Sequence, residues 1–160
     1  MQRLIYVFFM VIIFLTGCAR TGYHGTLTTP PQVFDFGAFA WPAEGAVRRP
    51  APDDPMKRKG IWIGVSPNGA VKAAQSGTVS FFDSEFSGYG KTMIIEHSPE
   101  YATVYAGLGT IFVSPGDRVQ RGQIIATVAQ DRSEIYFEVR KNAETEDSLA
   151  FLSGRASESS

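Results

Sequence analysis

Seven short runs of β-branched and aromatic residues crowd the stretch between Gly60 and Arg140, too close together for helices of useful length. They are 61–65 (Ile-Trp-Ile-Gly-Val), 78–82 (Thr-Val-Ser-Phe-Phe), 93–95 (Met-Ile-Ile), 103–105 (Thr-Val-Tyr), 111–113 (Ile-Phe-Val), 124–128 (Ile-Ile-Ala-Thr-Val) and 135–139 (Ile-Tyr-Phe-Glu-Val). Such side chains suit a pleated, half-buried surface, where they pack against cross-strand neighbours. Turn formers separate the runs: Asn68-Gly69, Ser87-Gly88-Tyr89-Gly90, Pro115-Gly116-Asp117 and Arg121-Gly122. Glycine and asparagine tolerate the positive φ that tight turns demand, and proline presets the first turn position. No window of helical length keeps an apolar period of 3.6. The pattern predicts an all-β domain, a compact antiparallel sheet folded as a sandwich or barrel.

The opening residues set the compartment. Leu4 to Leu15 runs almost without a polar side chain behind Arg3, and Leu15-Thr16-Gly17-Cys18 follows. A membrane span needs roughly 20 apolar residues, so this shorter stretch ending in small residues is a secretory signal. Cys18 is the one cysteine of the chain and stands directly after Leu-Thr-Gly. That is the bacterial lipobox pattern, in which the Cys sulfur takes a diacylglycerol and the chain is cut before it. A lone cysteine in an exported protein has no disulfide partner and calls for another chemistry. Several acyl chains, at about 0.8 kcal/mol per buried methylene, hold a protein where one chain is marginal. Ala19, where lipoproteins retained in an inner membrane usually carry Asp, favours the outer membrane of a two-membrane host, facing the periplasm.

The expected organisation is a lipoprotein signal over 1–17, a lipidated tether over 18–37, a domain over 38–141 and a polar tail over 142–160. The tether is rich in Thr, Gly and Pro, a composition that stays extended and solvated. Removing the signal leaves 143 residues, enough for one domain with a core. A second Pro-rich stretch, Arg48 to Lys59, holds Pro50, Pro52 and Pro55 among charges and reads as a loop on the domain and not a domain boundary. The tail is expected to be loose apart from a helical turn around Leu149, Phe151 and Leu152. With a formal charge of −1 and no basic-aromatic stripe, nucleic acid is not an expected partner. Val71–Val79 and Val113–Val119 repeat a cadence shared with lipoyl and biotinyl carrier domains. No lysine stands at the equivalent turn, so the repeat speaks to fold alone.

Further segments fall in a definite order: Phe39-Ala40-Trp41-Pro42-Ala43-Glu44-Gly45, Lys59-Gly60-Ile61-Trp62-Ile63, Val71–Val79, Gly88-Tyr89-Gly90 and Ile94-Ile95-Glu96-His97. Tyr105-Ala106-Gly107-Leu108, Gly116-Asp117-Arg118-Val119, Gly122–Ala126 and Ile135–Arg140 complete it. In that order they resemble the LytM, or lysostaphin-type, metallopeptidase domain. The resemblance implies a compact antiparallel β structure with a groove across one face. Active members hold zinc with a His-x-x-x-Asp motif and the second His of a His-x-His motif. The first His of that motif and the His of a Tyr-x-His segment assist catalysis. On this chain the His-x-x-x-Asp positions fall on Arg58 and Trp62, the His-x-His positions on Glu134 and Tyr136, and the Tyr-x-His position on Gly107. All five are altered.

Coordination chemistry agrees. Catalytic zinc needs three protein donors and an open position for water. The chain has two histidines, His24 in the tether and His97 at a strand end. A cation at Arg58 repels a metal, Trp62 has no lone pair to give, and Glu134 alone holds nothing. No metal, no other cofactor and no peptidase activity are therefore expected. The one other metal reading combines His97, Glu96 and Glu134, although His97 is taken as support for the strands. A Ser-His-Asp triad would have to use His97, and no Gly-x-Ser-x-Gly elbow is present. Scattered acids leave a glycosidase pair without a known separation. Arg140 beside Glu138 reads as a surface ion pair of little worth.

Members of the resembled family without zinc, the EnvC- and NlpD-like class, bind and switch on peptidoglycan amidases. The resemblance thus implies a non-enzymatic regulator that grips a murein hydrolase, or its inhibitory segment, through the degenerate groove. A module that binds peptidoglycan itself and an envelope scaffold with an empty groove are the other readings. Arg, Trp and Tyr are enriched at binding hot spots, which makes Arg58, Trp62 and Tyr136, with Gly107 and Glu134 beside them, the candidate partner-binding positions. Trp62 and Tyr136 equally suit a plain core role, filling the volume a metal would leave.

Overall fold

Alternation along each run decides which side of the sheet it faces. The computed structural model describes residues 39–54, 59–83 and 88–154, all within one compact unit, Phe34–Ser160. Cys18, the signal and tether assigned over 1–37, and Arg58 lie outside the described residues. Ten strands are present among those described: β1 (Val47–Arg48), β2 (Ile61–Gly64), β3 (Ala70–Lys72), β4 (Gly77–Asp83), β5 (Lys91–Glu96), β6 (Tyr101–Ile111), β7 (Arg118–Val119), β8 (Ile124–Val128), β9 (Glu134–Lys141) and β10 (Glu144–Thr145). One short helix, α1 (Ser148–Leu152), follows them. Every strand pairing is antiparallel. The all-β reading holds.

The main path runs β1-β2-β9-β6-β5-β4-β7, with β10 on β9 and β8 joining β3 to β6. Strand β6 makes this possible by serving two partners in turn. Its first half pairs with β9 from Tyr101 to Ala106, and its second half meets β8 at Leu108 and Ile111 across a register shift. A bulge of this kind bends the strand and raises its local twist, which curls the sheet over its own core. Gly107, at φ +83°, sits where β6 changes partner.

Cross-strand rows define the two faces. Ile61 stands opposite Phe137, Phe137 opposite Tyr105, and Tyr105 opposite Met93; all four are fully buried. Each such side chain contributes about 1.5–3 kcal/mol of hydrophobic stabilisation. The residues between them, Trp62, Tyr136, Ala106 and Thr92, point to the opposite face, since strand side chains alternate. One short row therefore separates the core from the face where the candidate site lies.

The tail departs from expectation. Between Asn142 and Gly154 it is more ordered than its composition suggests: β10 pairs with β9, and the expected helical turn is α1, which packs Phe151 and Leu152 into the core. Phe151 meets Phe39 edge-on and Tyr101 at a tilt, at ring centroid distances of 5.5 and 5.9 Å. Phe39 and Phe151, from the two ends of the domain, thus join Tyr101 in closing one side of the core, which polar composition alone conceals. Asp147 caps α1 by accepting from the Leu149 and Ala150 amides and pairs with Arg49, a cap of about 1 kcal/mol.

Candidate functional site

Four neighbouring strands bring the site together. Arg48 on β1 stands opposite Trp62 on β2, Trp62 opposite Tyr136 on β9, and Tyr136 opposite Ala106 on β6. Trp62, Tyr136 and Ala106 form an apolar cluster of their own, separate from the main core, with Tyr89 packed against it. The Trp62 and Tyr136 rings meet edge-on at 5.2 Å, and Tyr89 lies 5.1 Å from Tyr136. Trp62 is 7% exposed and Tyr136 1%. Their rings form a sealed floor and do not line an open trough.

A hydrogen-bond chain anchors that floor. The Gly60 amide donates to the Tyr136 hydroxyl at 2.9 Å, and the hydroxyl donates to Glu138 Oε2. Glu138 Oε1 accepts from Thr145 Oγ1 at 2.9 Å and from Arg140 Nε. Desolvation, reinforced by the acceptor and charge of Glu138, raises the Tyr136 phenol well above its usual range. It keeps its proton, the form the bond to Glu138 requires. Glu138 is 4% exposed, so the pairing with Arg140 is not the surface ion pair expected from sequence. A buried carboxylate requires its partners, because an unpaired buried charge costs several kcal/mol.

Two arginines lie near these positions, Arg48 over Trp62 and Arg132 beside Gly90 and Gly107, and neither is a residue singled out from sequence. The Arg48 guanidinium lies 5.0 Å from the centre of the Trp62 ring. It also grips Glu134 in a two-pronged ion pair, Nε to Oε2 at 3.0 Å and a second nitrogen to Oε1. Arg132, just before β9, reaches the other way, towards β6 and β5. Its guanidinium passes 3.1 Å from where a Cβ on Gly90 would stand, and its Cδ lies 3.4 Å from the same point on Gly107. Arg132 therefore fills space that a side chain at Gly107 would enter. Replacing Gly107 by His, the residue type the family carries there, is expected to cost about 1–2 kcal/mol through positive φ alone. Thermal melting of that variant checks this; an unchanged midpoint would mean the backbone relaxes freely.

The residues present do not suit a metal ion. Glu134 is already held by Arg48, Tyr136 keeps its proton, Trp62 offers no donor, and Gly107 has no side chain. Among the described residues no group of three or more His, Cys, Asp or Glu could hold a metal. The structure also separates the alternative set. Glu96 stands opposite Ala102, which stands opposite Arg140. Glu134 lies six residues further along β9, about 20 Å away at 3.3 Å per residue.

His97 turns away from this face into a second relay. Its Nδ1 lies 2.9 Å from the Ser76 carbonyl and its Nε2 2.8 Å from Thr103 Oγ1, which is 3.0 Å from the Tyr105 hydroxyl. The Ala74 amide donates to that hydroxyl at 2.8 Å. A carbonyl only accepts, so Nδ1 carries a proton and the neutral ring leaves Nε2 to accept from Thr103. Burial lowers the His97 pKa from 6.5 to about 4, opposed by the bond to Ser76. This is a histidine that ties strands together.

With that geometry in view, kinship is plain. Residues 56–148 match the model of peptidase family M23. The chain is 34% identical to a Pseudomonas aeruginosa protein named lipoprotein NlpD/LppB homolog, covering 74% of this chain and 41% of that one. It is 31% identical to the murein hydrolase activator NlpD of Escherichia coli, covering 73% of this chain and 32% of that one. The chain thus spans less than half the length of either relative. The catalytic domain of lysostaphin from Staphylococcus simulans shares its fold, with a TM-score of 0.57 at 20% identity over 74% of this chain and 95% of that one. The chain belongs to peptidase family M23, of the LytM type, with the zinc-site positions replaced.

Proposed function

We propose that this protein is a non-catalytic, lipid-anchored regulator of peptidoglycan remodelling that binds and activates a murein hydrolase, in the first instance an amidase. One observation carries the reading: every described position where the family places a donor has another occupant, and two of those occupants, Trp62 and Tyr136, pack with Tyr89 into an aromatic floor beneath Arg48. Aromatic and arginine side chains dominate binding energy at protein interfaces. Relatives named murein hydrolase activators and lipoproteins point the same way. Lipid on Cys18, in the outer membrane and facing the periplasm, would hold this face within reach of the wall. Arg58, next to the described Lys59, is proposed as a further contact.

The test is release of dye from labelled sacculi by each of the host's amidases, with and without the purified chain. Stimulation of at least one amidase is expected, weakened by Arg58→Glu. Sedimentation with sacculi and no stimulation would sink the regulator in favour of a peptidoglycan-binding module. Chelator-sensitive cleavage of peptide crosslinks by the chain alone would restore an enzyme.

A further inference from the structure

A second cavity lies on the same face of the sheet, away from the aromatic floor. Arg140 on β9 stands opposite Ala102 on β6, and Ala102 opposite Glu96 on β5. Residues directly opposite one another share a face. Arg140 is four positions beyond Tyr136, about 13 Å along the strand. Strands β9 and β5 are two spacings apart here, about 10 Å, and the alanine between them leaves that width open. Arg140, Glu96 and Glu100 line the resulting cavity of about 290 Å³, with Ile94 on its apolar side. Two turns close its end. The Ser98 hydroxyl fixes the first by accepting from the Glu100 and Tyr101 amides at 3.3 and 3.1 Å. The second carries Asn142 and Ala143 through positive φ, and its Asn142 amide donates to the Glu100 carbonyl at 2.8 Å. The walls are thus tied together before any ligand arrives.

The opposite charges in these walls are both available. Buried Glu138 accepts from Arg140 Nε alone, so the two terminal nitrogens stay uncommitted among the described residues. They form a planar fork that takes a carboxylate with two parallel hydrogen bonds. Glu96 is exposed and makes no ion pair among the described residues. A simple anion would meet repulsion from Glu96 and Glu100, and a simple cation would meet Arg140. We infer that this cavity binds an amino-acid head group, one carbon bearing a free ammonium and a free carboxylate. Arg140 takes the carboxylate, Glu96 the ammonium, and Ile94 the first methylene behind them. The space is too large for a lone ion and too small for a folded segment. Free amino acids carry such a head group, and so does the uncrosslinked end of a diamino acid in a wall peptide. The site goes beyond the regulator reading and does not depend on it.

The probe is diaminopimelate, which carries the head group at each end of a carbon chain. Pimelate, which lacks the ammonium groups, and cadaverine, which lacks the carboxylates, are the controls. Amide resonances of Ala102, Asn142 and Ala143 in the isotope-labelled full chain report binding. Diaminopimelate is expected to shift them, and each control to bind about tenfold more weakly or worse, since each leaves one charged wall unpaired. Glu96→Gln, a substitution at an exposed position, should lose about tenfold for diaminopimelate without weakening pimelate. Arg140→Lys keeps a cation against Glu138 but removes the fork, and should also lose about tenfold. Equal binding of all three compounds, or unchanged diaminopimelate affinity in Glu96→Gln, would overturn the site. A tripeptide ending in diaminopimelate separates the sources. Tighter binding than the free amino acid assigns the head group to the wall, and weaker binding assigns it to a free solute; both outcomes keep the site. Amidase stimulation is measured separately, so the site and the regulator reading can each fail alone.

Discussion

Truncating Tyr136 to alanine should cost about 4 kcal/mol of folding stability, the range found when a buried aromatic is removed from a packed site. The ring is 1% exposed and touches Trp62 and Tyr89. Its loss would leave a cavity, and it would strip the Gly60 amide and the buried Glu138 carboxylate of a partner. Tyr136→Phe keeps the ring and removes only the hydroxyl, for about 1–3 kcal/mol, the cost of leaving buried polar groups unsatisfied. Urea denaturation of both variants, read as midpoint and slope, separates the two contributions. If the alanine variant lost less than about 1 kcal/mol, the floor would be a loose surface and not a packed plug. If the two variants lost the same, the hydrogen-bond chain would carry the stability and the ring none of it.

Acidification should weaken the fold through His97. Its folded pKa, about 4, lies below the 6.5 of an unperturbed histidine. Between those values the unfolded chain binds the proton more readily, so stability rises with pH across the window and is lost as pH falls from about 6.5 to 4. The full difference is about 3 kcal/mol. A protonated ring would also need a second acceptor where Thr103 now donates. Denaturation midpoints measured from pH 7 to pH 4 should fall steeply in the wild type and less in His97→Gln, where only the carboxylates still titrate. Parallel curves for the two proteins would show that some other group governs the acid limb.

These two predictions rest on residues the sequence treats very differently. Tyr136 is legible as a replaced motif position, because it falls in the β9 pattern two residues after Glu134. Its burial is not legible, since that depends on Trp62 and Tyr89 arriving from other strands. Glu138 and Arg140 look like an ordinary surface pair in a strand with polar alternates. Glu138 is buried beneath its partners while Arg140 stays partly exposed, and the carboxylate becomes the hub of a hydrogen-bond relay with Tyr136 and Thr145. Arg48 is the clearest miss. It sits in what reads as a proline-rich loop, and only the β1–β2 register places it over Trp62 and beside Glu134. Arg132 carried no signal beyond its position just before Glu134. The helix in the tail was half legible, as a turn at Leu149, Phe151 and Leu152.

What the sequence determined by itself was local. Short β-branched runs between Gly and Pro turns made the chain an antiparallel β protein. Two histidines and one cysteine left too few donors for a catalytic metal, and the five altered motif positions followed from alignment along the chain. Tertiary structure alone decided which charges stand together and which aromatics are sealed. Burial and ion pairing are set by cross-strand register, which joins Arg48 to Glu134 across 86 positions of sequence, and no local pattern encodes a contact at that separation.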